Sequence, residues 1–212
     1  MSATRLLVLG IMRMHGRAHG YQVRRDLLAW GADKWANVQP GSIYHALKKL
    51  AKDGLLTQVD QEPGEAGPDR TAYRLTEDGE TEFQLLLSRL LSDAECGADE
   101  LNAAMSFLPA LPRRHAIALL RQRTAGLAGV RAAVGFGLDN DLGKPPHIRE
   151  LYLLWEAQVA SSLAWTNRLI ETLESGEYVM ADDPGHAFGS PPADAANAAD
   201  TADTADTADT AK

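Results

Sequence analysis

Apolar residues recur at helical spacing in the segment PGSIYHALKKLAKDG, which runs from Pro40 to Gly54. They fall at positions i, i+3, i+4 and i+7 and form one helical face: Ile43, Ala46, Leu47 and Leu50. Pro40 suits the first helical position because its φ is already helical, and Gly54 suits the position just after the helix end. The pattern predicts a short amphipathic helix with a polar outer side.

Two further helices are predicted before this segment and a β-hairpin after it. The stretches TRLLVLGIMRMHG and HGYQVRRDLLAWG have a helical pattern, and Gly16 and Gly31 are placed to end them. The stretches LLTQVD and TAYRLT favour strands, and the loop between them, QEPGEAGPDR, is rich in glycine, proline and charge. Three helices followed by a hairpin is the order of a winged helix-turn-helix.

The remaining patterns are helical. TEDGETEFQLLLSRLLSD begins at a capping Thr76, and its apolar stripe from Phe83 to Leu91 is wider than one small domain needs. Helices are also expected at about 99–108, 113–138 and 146–175. The last has a heptad-like seam: Ile148, Tyr152, Trp155, Val159, Ser162, Thr166, Leu169 and Leu173. Such a seam fits either a subunit interface or an intramolecular core.

The composition changes again at residue 181. Alanine, aspartate, glycine and proline dominate there, and the triplet Ala-Asp-Thr repeats four times from Ala199 to Thr210. A segment this acidic and this poor in large apolar groups does not offset the entropy of ordering itself. We therefore expect a mainly α chain in three parts. These are a winged helix-turn-helix DNA-binding domain at 1–76, a helical dimerisation and candidate effector domain at 77–180, and a disordered acidic tail at 181–212.

The formal net charge of −8 conceals an uneven distribution. Through Leu75 the chain has 11 basic and 7 acidic residues, whereas the remainder has 10 and 22. A basic front half favours a polyanionic partner, although surface charge also varies along ordinary chains. The single Cys96 excludes an intramolecular disulfide, and no apolar run approaches the roughly 20 residues that span a bilayer. We expect a cytoplasmic protein without a membrane partner.

The polar side of the Pro40 helix has groups that bind nucleic acid. The third helix of a winged helix-turn-helix enters the major groove, with its apolar face held on the first two helices. The candidate DNA-binding residues are Ser42, Tyr44, His45, Lys48 and Lys49 on this helix and Arg70 beside the hairpin tip. Two simpler interpretations stay open: Tyr44 as a packing residue, and the lysines as an ordinary solvated face.

Three separated motifs, HGYQVRRDL, GSIYHALKKLAKDGLL and AYRLTEDG, resemble the PadR family of transcriptional regulators in order and spacing. The resemblance covers residues 6–91. It implies a winged helix-turn-helix with a C-terminal helical dimerisation region, mostly in repressors, and DNA contacts by Ser42, Tyr44, His45, Lys48 and Arg70. Many members have two neighbouring basic residues before the tyrosine strand, whereas here Thr71 follows Arg70.

Enzymatic chemistry finds little support in the sequence. His15 and His19 have a helical metal-binding spacing, but the glycines around them favour a turn and no third ligand is near. The glycines of GVRAAVGFG lie in a helical pattern rather than a strand–turn–helix, and Cys96 has no evident base partner. We expect no catalytic residues, no metal and no cofactor.

These observations predict a sequence-specific regulator that binds a double-stranded DNA operator as a homodimer and acts as a repressor. Dimerisation is expected through the Phe83–Leu91 stripe and the Trp155 helix. Four aromatic residues are candidates for a pocket that binds a small aromatic effector: Phe136, Tyr152, Trp155 and Trp165. The alternative is a helical protein-interaction module that does not bind DNA.

Overall fold

A computed structural model describes residues 2–36, 38–62, 70–140, 143 and 145–192, without the side chains of residues 2, 60–62 and 70. The main helices are α1 (Ser2–His15), α2 (Gly20–Ala29), α3 (Ala32–Trp35), α4 (Pro40–Lys52), α5 (Glu77–Ser92), α6 (Ala98–Ser106), α7 (Arg113–Asp139) and α8 (His147–Glu174). The strands are β1 (Arg17–His19), β2 (Leu56–Glu62) and β3 (Arg70–Leu75). None of the helices in this described part is long and apolar enough to cross a membrane. The mainly α class that the sequence predicts is confirmed.

Helix α1 forms the centre of the core. Leu6, Leu7 and Leu9 are completely buried, because α1 packs against α2, α4, α5 and α6 at once. Gly10 permits the contact with the residue that follows α6: a Cβ built there would lie 2.2 Å from Cζ of Phe107. A helix buried on nearly all sides ties the winged-helix elements to the helical region behind them.

The helix predicted from Pro40 is α4, and its apolar face is buried as expected. Ile43, Leu47 and Leu50 are at most 1% exposed. Pro40 takes the first helical position, and Gly54 adopts a φ of 77° just after the helix end. The left-handed conformation at Gly54 turns the chain directly into β2. The outer side of α4 is thereby held in a fixed orientation.

The predicted hairpin is part of a three-stranded antiparallel sheet with the order β1-β3-β2. Strand β1 was not predicted, because a three-residue strand has no periodicity to detect. It pairs Ala18 with Tyr73 in the centre of β3, and a register shift interrupts β2 between Gln58 and Asp60. Helix α3 was likewise missed, since a single helical turn has too few positions to show a pattern.

The cap predicted for α5 is confirmed, but the dimerisation role expected for the apolar stripe of α5 is wrong. The Thr76 hydroxyl accepts the N–H of Gly79 at 3.0 Å and donates to the carbonyl of Gly54 at 2.8 Å. The apolar stripe is at most 7% exposed along its length: Phe83, Leu86, Leu87, Leu90 and Leu91. It is covered within the chain by α1, α6 and α7. The stripe is therefore core, not surplus surface.

Helices α7 and α8 pair with each other along their lengths and form what we call the arm. Towards its C-terminal end the seam of α8 is intramolecular: Val159, Thr166, Leu169 and Leu173 are buried. Thr166 satisfies its hydroxyl by donating to the Ser162 carbonyl at 2.8 Å. At the other end Trp155 remains 40% exposed. The seam is therefore an intramolecular core at the C-terminal end of α8, whereas its N-terminal end remains open to either interpretation.

The tail does not begin at residue 181 as the sequence suggested. Residues 180–192, which we call the C-terminal strap, pack back on the fold, and Ala187 is only 2% exposed. Arg13 of α1 donates to the Gly189 carbonyl, and the Ala181 N–H donates to the Leu111 carbonyl at 3.2 Å. Phe188 supplies the large apolar group that the composition argument undervalued. The Ala-Asp-Thr repeats lie outside the described residues.

Candidate nucleic-acid interface

Helix α4 presents four of the predicted DNA-binding residues on one exposed side. Tyr44, His45, Lys48 and Lys49 are exposed, whereas the helix positions between them face the core. Ser42 lies half-buried in the first turn. Because α4 is anchored through its apolar face, these groups keep a fixed spacing along about two helical turns. That spacing suits the edge of a groove in a duplex.

The charge on this side is uncompensated. Within the described residues, neither Lys48 nor Lys49 forms an ion pair, and the same holds for Lys52, which the sequence argument omitted. The nearest acid in sequence, Asp53, is held by Arg5 of α1 at 3.3 Å. The α4 lysines are therefore left free to meet the phosphates of a duplex.

The first turn of α4 is suited to an anion through its backbone rather than through Ser42. No acidic residue lies in this turn, so the positive end of the helix dipole is not neutralised. The Ser42 hydroxyl donates to the Gln39 carbonyl at 2.7 Å. In this geometry its proton is already used, which leaves the backbone N–H groups as the donors for a phosphate.

Tyr44 combines the two roles that the sequence left open. Its ring lies over Gly20 at the start of α2, where an added Cβ would approach Cε1 of Tyr44 to 2.8 Å. The side chain is nevertheless 42% exposed. The glycine at position 20 thus leaves room for the ring to contact α2, while the Tyr44 side chain remains partly exposed to solvent.

The wing contributes cations that were not among the predicted site residues. Arg17 of β1 and Arg74 of β3 are directly opposite each other and both are exposed. A strand as short as β1 gives no pattern from which this pairing could be expected. Arg70 begins β3, but its side chain and the hairpin tip at 63–69 lie outside the described residues.

The remaining chemistry-bearing residues serve the fold in this structure. His15 contacts Asp26 at 2.6 Å, and His19 stacks on Tyr21 with ring centroids 5.6 Å apart. Burial raises the pKa of the Cys96 thiol, although the Arg123 guanidinium opposes the shift. The thiol therefore stays protonated at neutral pH and donates to the Leu90 carbonyl at 3.4 Å.

The four aromatic residues predicted for an effector pocket are only partly brought together. The rings of Tyr152 and Trp155 meet edge to face at 5.1 Å, and Tyr152 also lies against Gly137 of α7. Phe136 is 67% exposed. Trp165 packs against the core instead, roughly 15 Å along α8 from Trp155 at 1.5 Å per residue. Phe136, Tyr152 and Trp155 thus lie together at one end of the arm, which we call the outer part of the arm.

Part of the chain matches a known family. Residues 8–85 match the profile of the Transcriptional regulator PadR-like family. The match runs from α1 into α5 and includes all of α4 and the sheet. No curated protein matches the chain. The family likeness therefore rests on the winged-helix region.

Solved structures of similar proteins extend beyond this region. Bacillus subtilis PadR in complex with operator DNA is 20% identical, with a TM-score of 0.37 over 80% of this chain and 98% of that one. The same protein in complex with p-coumaric acid is 18% identical, with a TM-score of 0.36 over 81% and 99%. The protein smu.1604c from Streptococcus mutans UA159 is 22% identical, with a TM-score of 0.35 over 81% and 96%.

Proposed function

We propose that the chain is a homodimeric repressor of the PadR type, because its residues 8–85 match the PadR-like family of transcriptional regulators. In this proposal the α4 helices of two subunits enter major grooves one turn apart, roughly 34 Å, on a pseudo-palindromic operator. A small aromatic effector releases the dimer from the DNA.

The outer side of α4 is the observation that supports DNA binding. Lys48, Lys49 and His45 project from a helix whose opposite face is fully buried, so the cations are presented on a rigid support. Tyr44 adds a half-exposed ring that can lie against deoxyribose. Phosphate contacts by Lys48, Lys49 and the first-turn amides position the helix, and base-edge contacts by His45 supply selectivity.

The outer part of the arm supports the homodimer. On α8 Leu154 is 52% exposed and Trp155 40% exposed, and on the paired helix α7 Phe136 is 67% exposed. Large apolar side chains this exposed on neighbouring helices mark an association surface. A second copy of the same surface would cover them with the two-fold symmetry that a palindromic operator requires.

The proposed function is tested with the full chain and DNA selected from a random duplex pool. Changing Lys48 and Lys49 together to Ala should weaken binding about tenfold to a hundredfold, because each subunit of the dimer loses two phosphate contacts. The dependence of log K on log salt should become shallower by about 3.6, which corresponds to four neutralised phosphates, two in each subunit. Fluorescence anisotropy of labelled duplex at several salt concentrations measures both.

The double variant Arg114→Ala/Arg149→Ala removes the same charge from exposed sites on α7 and α8 and serves as the matched control. It should bind the selected duplex almost as tightly as the parent chain. If both double variants lose affinity equally, or if no duplex is selected at all, the groove assignment is wrong. The second outcome would favour the protein-interaction module.

A further inference from the structure

A cleft with aromatic walls lies on the side of the molecule where the strap meets the winged-helix region. Its volume is about 540 Å³, within the range of small-molecule sites. The residues that line it come from α2, α3, α6 and the strap: Trp30, Trp35, Asn102, Met105, Ser106 and Phe188. We call it the aromatic cleft. None of these six lining residues carries a formal charge at neutral pH.

The strap supplies one wall of the aromatic cleft. The ring of Phe188 lies 5.7 Å from that of Trp30 and 6.4 Å from that of Phe107, which is itself completely buried. Phe188 nevertheless remains 46% exposed. A large aromatic ring that is half-packed beside an open cavity gains further burial only if another flat group enters.

The polar groups of the cleft are few and are available on one side. The Asn102 side-chain amide makes no hydrogen bond to any residue that the structure describes. Ser106 donates its hydroxyl proton to the backbone carbonyl of Asn102 at 2.9 Å, and its hydroxyl oxygen can still accept a hydrogen bond. Trp35 already donates its ring N–H to the Trp30 carbonyl at 2.8 Å. Hydrogen bonding to a ligand therefore falls to α6.

We propose that the aromatic cleft binds a planar, uncharged aromatic molecule with one hydrogen-bonding substituent. Its ring packs on Trp30 and Phe188, and its substituent meets Asn102. A charged ligand is disfavoured because no lining residue offers it a counter-charge. This inference deepens the proposed function by placing the effector here, and it rests on that function only for the effect on DNA.

The position of the cleft connects ligand binding with α4. Trp30 directly follows the last residue of α2, and Trp35 is the last residue of α3, so both belong to the connection that leads into α4. The strap is held by the hydrogen bond from Arg13 to Gly189 and by the ion pair of Arg113 with Asp183. A ligand that bridges Phe188 and Trp30 favours one arrangement of that connection, which is what an effector needs to do.

The test uses the full chain in a Trp155→Phe/Trp165→Phe background, in which only Trp30 and Trp35 remain fluorescent. The probe is 4-nitrobenzyl alcohol, an uncharged planar quencher with one hydroxyl. We expect saturable quenching at sub-millimolar concentration. Cyclohexylmethanol, which has the same hydroxyl but no flat ring, should compete at least tenfold more weakly in the same titration.

Two variants keep the test decisive. Phe188→Ala removes one wall and should weaken probe binding at least tenfold, whereas Ser106→Phe fills the cleft without adding a fluorescent tryptophan and should abolish saturation. Leu85→Ala, which truncates an exposed side chain on α5 outside the cleft, should leave the affinity for the probe unchanged. Circular dichroism establishes that each variant is folded.

Linear quenching that is identical in the parent background and in both cleft variants would overturn the proposed site. Its failure is distinguishable from failure of the DNA-binding proposal. A chain that selects a duplex but does not saturate with the probe refutes only the cleft. A chain that saturates with the probe but selects no duplex refutes only the repressor.

Discussion

The winged-helix region and the outer part of the arm differ in how far their large apolar side chains are exposed to solvent. In the winged-helix region Leu7, Ile43 and Leu47 are at most 1% exposed. On the arm, Leu154 and Phe136 leave 52% and 67% of their surfaces exposed, although both also lie on long helices. The first region is closed by the packing of its helices and sheet, whereas the second has an apolar face that no described part of the chain covers.

This difference bears on the proposed dimer. The apolar stripe of α5, which was expected to join two subunits, is buried inside the chain, so the proposal assigns association to the exposed apolar side chains of α7 and α8. Winged-helix stability should then be a property of the monomer, and arm surface should matter for assembly. Substitutions in the two regions should separate these quantities.

The largest loss of stability is expected from Leu47→Ala in α4. The side chain is 1% exposed, so truncation leaves a cavity under the DNA-contacting helix and costs about 2–5 kcal/mol of the free energy of unfolding. Urea unfolding followed by circular dichroism measures this loss. Lys52→Ala on the exposed side of the same helix is the control and should change stability by less than about 0.5 kcal/mol. Equal effects would mean that α4 is not anchored as described.

The arm should show the opposite behaviour. Changing Phe136 and Leu154 together to Glu should weaken dimerisation roughly a hundredfold, since about 2.7 kcal/mol of apolar burial is lost and like charges meet across the two-fold axis. Sedimentation equilibrium measures the dimer constant. Circular dichroism should find the subunits folded. If the variant is as dimeric as the parent chain, another surface joins the subunits.

The contrast between the regions also explains what could be predicted from sequence. The α4 helix, its Pro40 start and the Thr76 cap follow from local signals and are confirmed. The burial of the α5 stripe and the packing of Phe188 depend on partners far away in the chain. No window around either segment contains that information. A periodic pattern shows that a face is apolar, but not what covers it.

A pair of glycines compares the tolerance of the two regions. A Cβ at Gly79 would lie 2.1 Å from the Leu55 carbonyl oxygen, and backbone cannot rotate away. Gly79→Ala should therefore cost about 1–3 kcal/mol or more. A Cβ at Gly137 would lie 2.0 Å from the Tyr152 ring, a side chain at the arm surface that can turn aside.

Gly137→Ala should accordingly cost less than about 1 kcal/mol, because alanine also favours the helix. Thermal unfolding of both variants beside the parent chain gives the comparison. A larger loss for Gly137→Ala than for Gly79→Ala would show that the arm is packed as rigidly as the winged-helix region.

The smallest effect is expected in the strap, and it tests whether the charge of Asp183 helps to hold the strap on the winged-helix region. The Met180 N–H hydrogen bond, aided by the Arg113 guanidinium, lowers the pKa of Asp183 from its ordinary value of 3.8. A carboxylate with a lowered pKa in the folded state stabilises it above the ordinary value, and this contribution is lost as the pH falls through the lowered one. Asp183→Asn should therefore loosen the strap slightly at neutral pH.

Limited proteolysis of the strap measures this loosening. Cleavage of Asp183→Asn should be faster than cleavage of the parent chain at neutral pH. Cleavage by an acid-active protease during an acid pulse that takes the pH below the lowered pKa of Asp183 should show no difference between them, since the parent carboxyl is then protonated as well. Glu177→Gln, a nearby exposed carboxylate just before the strap, is the matched control and should not alter the rate. A difference that persists unchanged through the acid pulse would mean that the charge of Asp183 does not hold the strap on the winged-helix region.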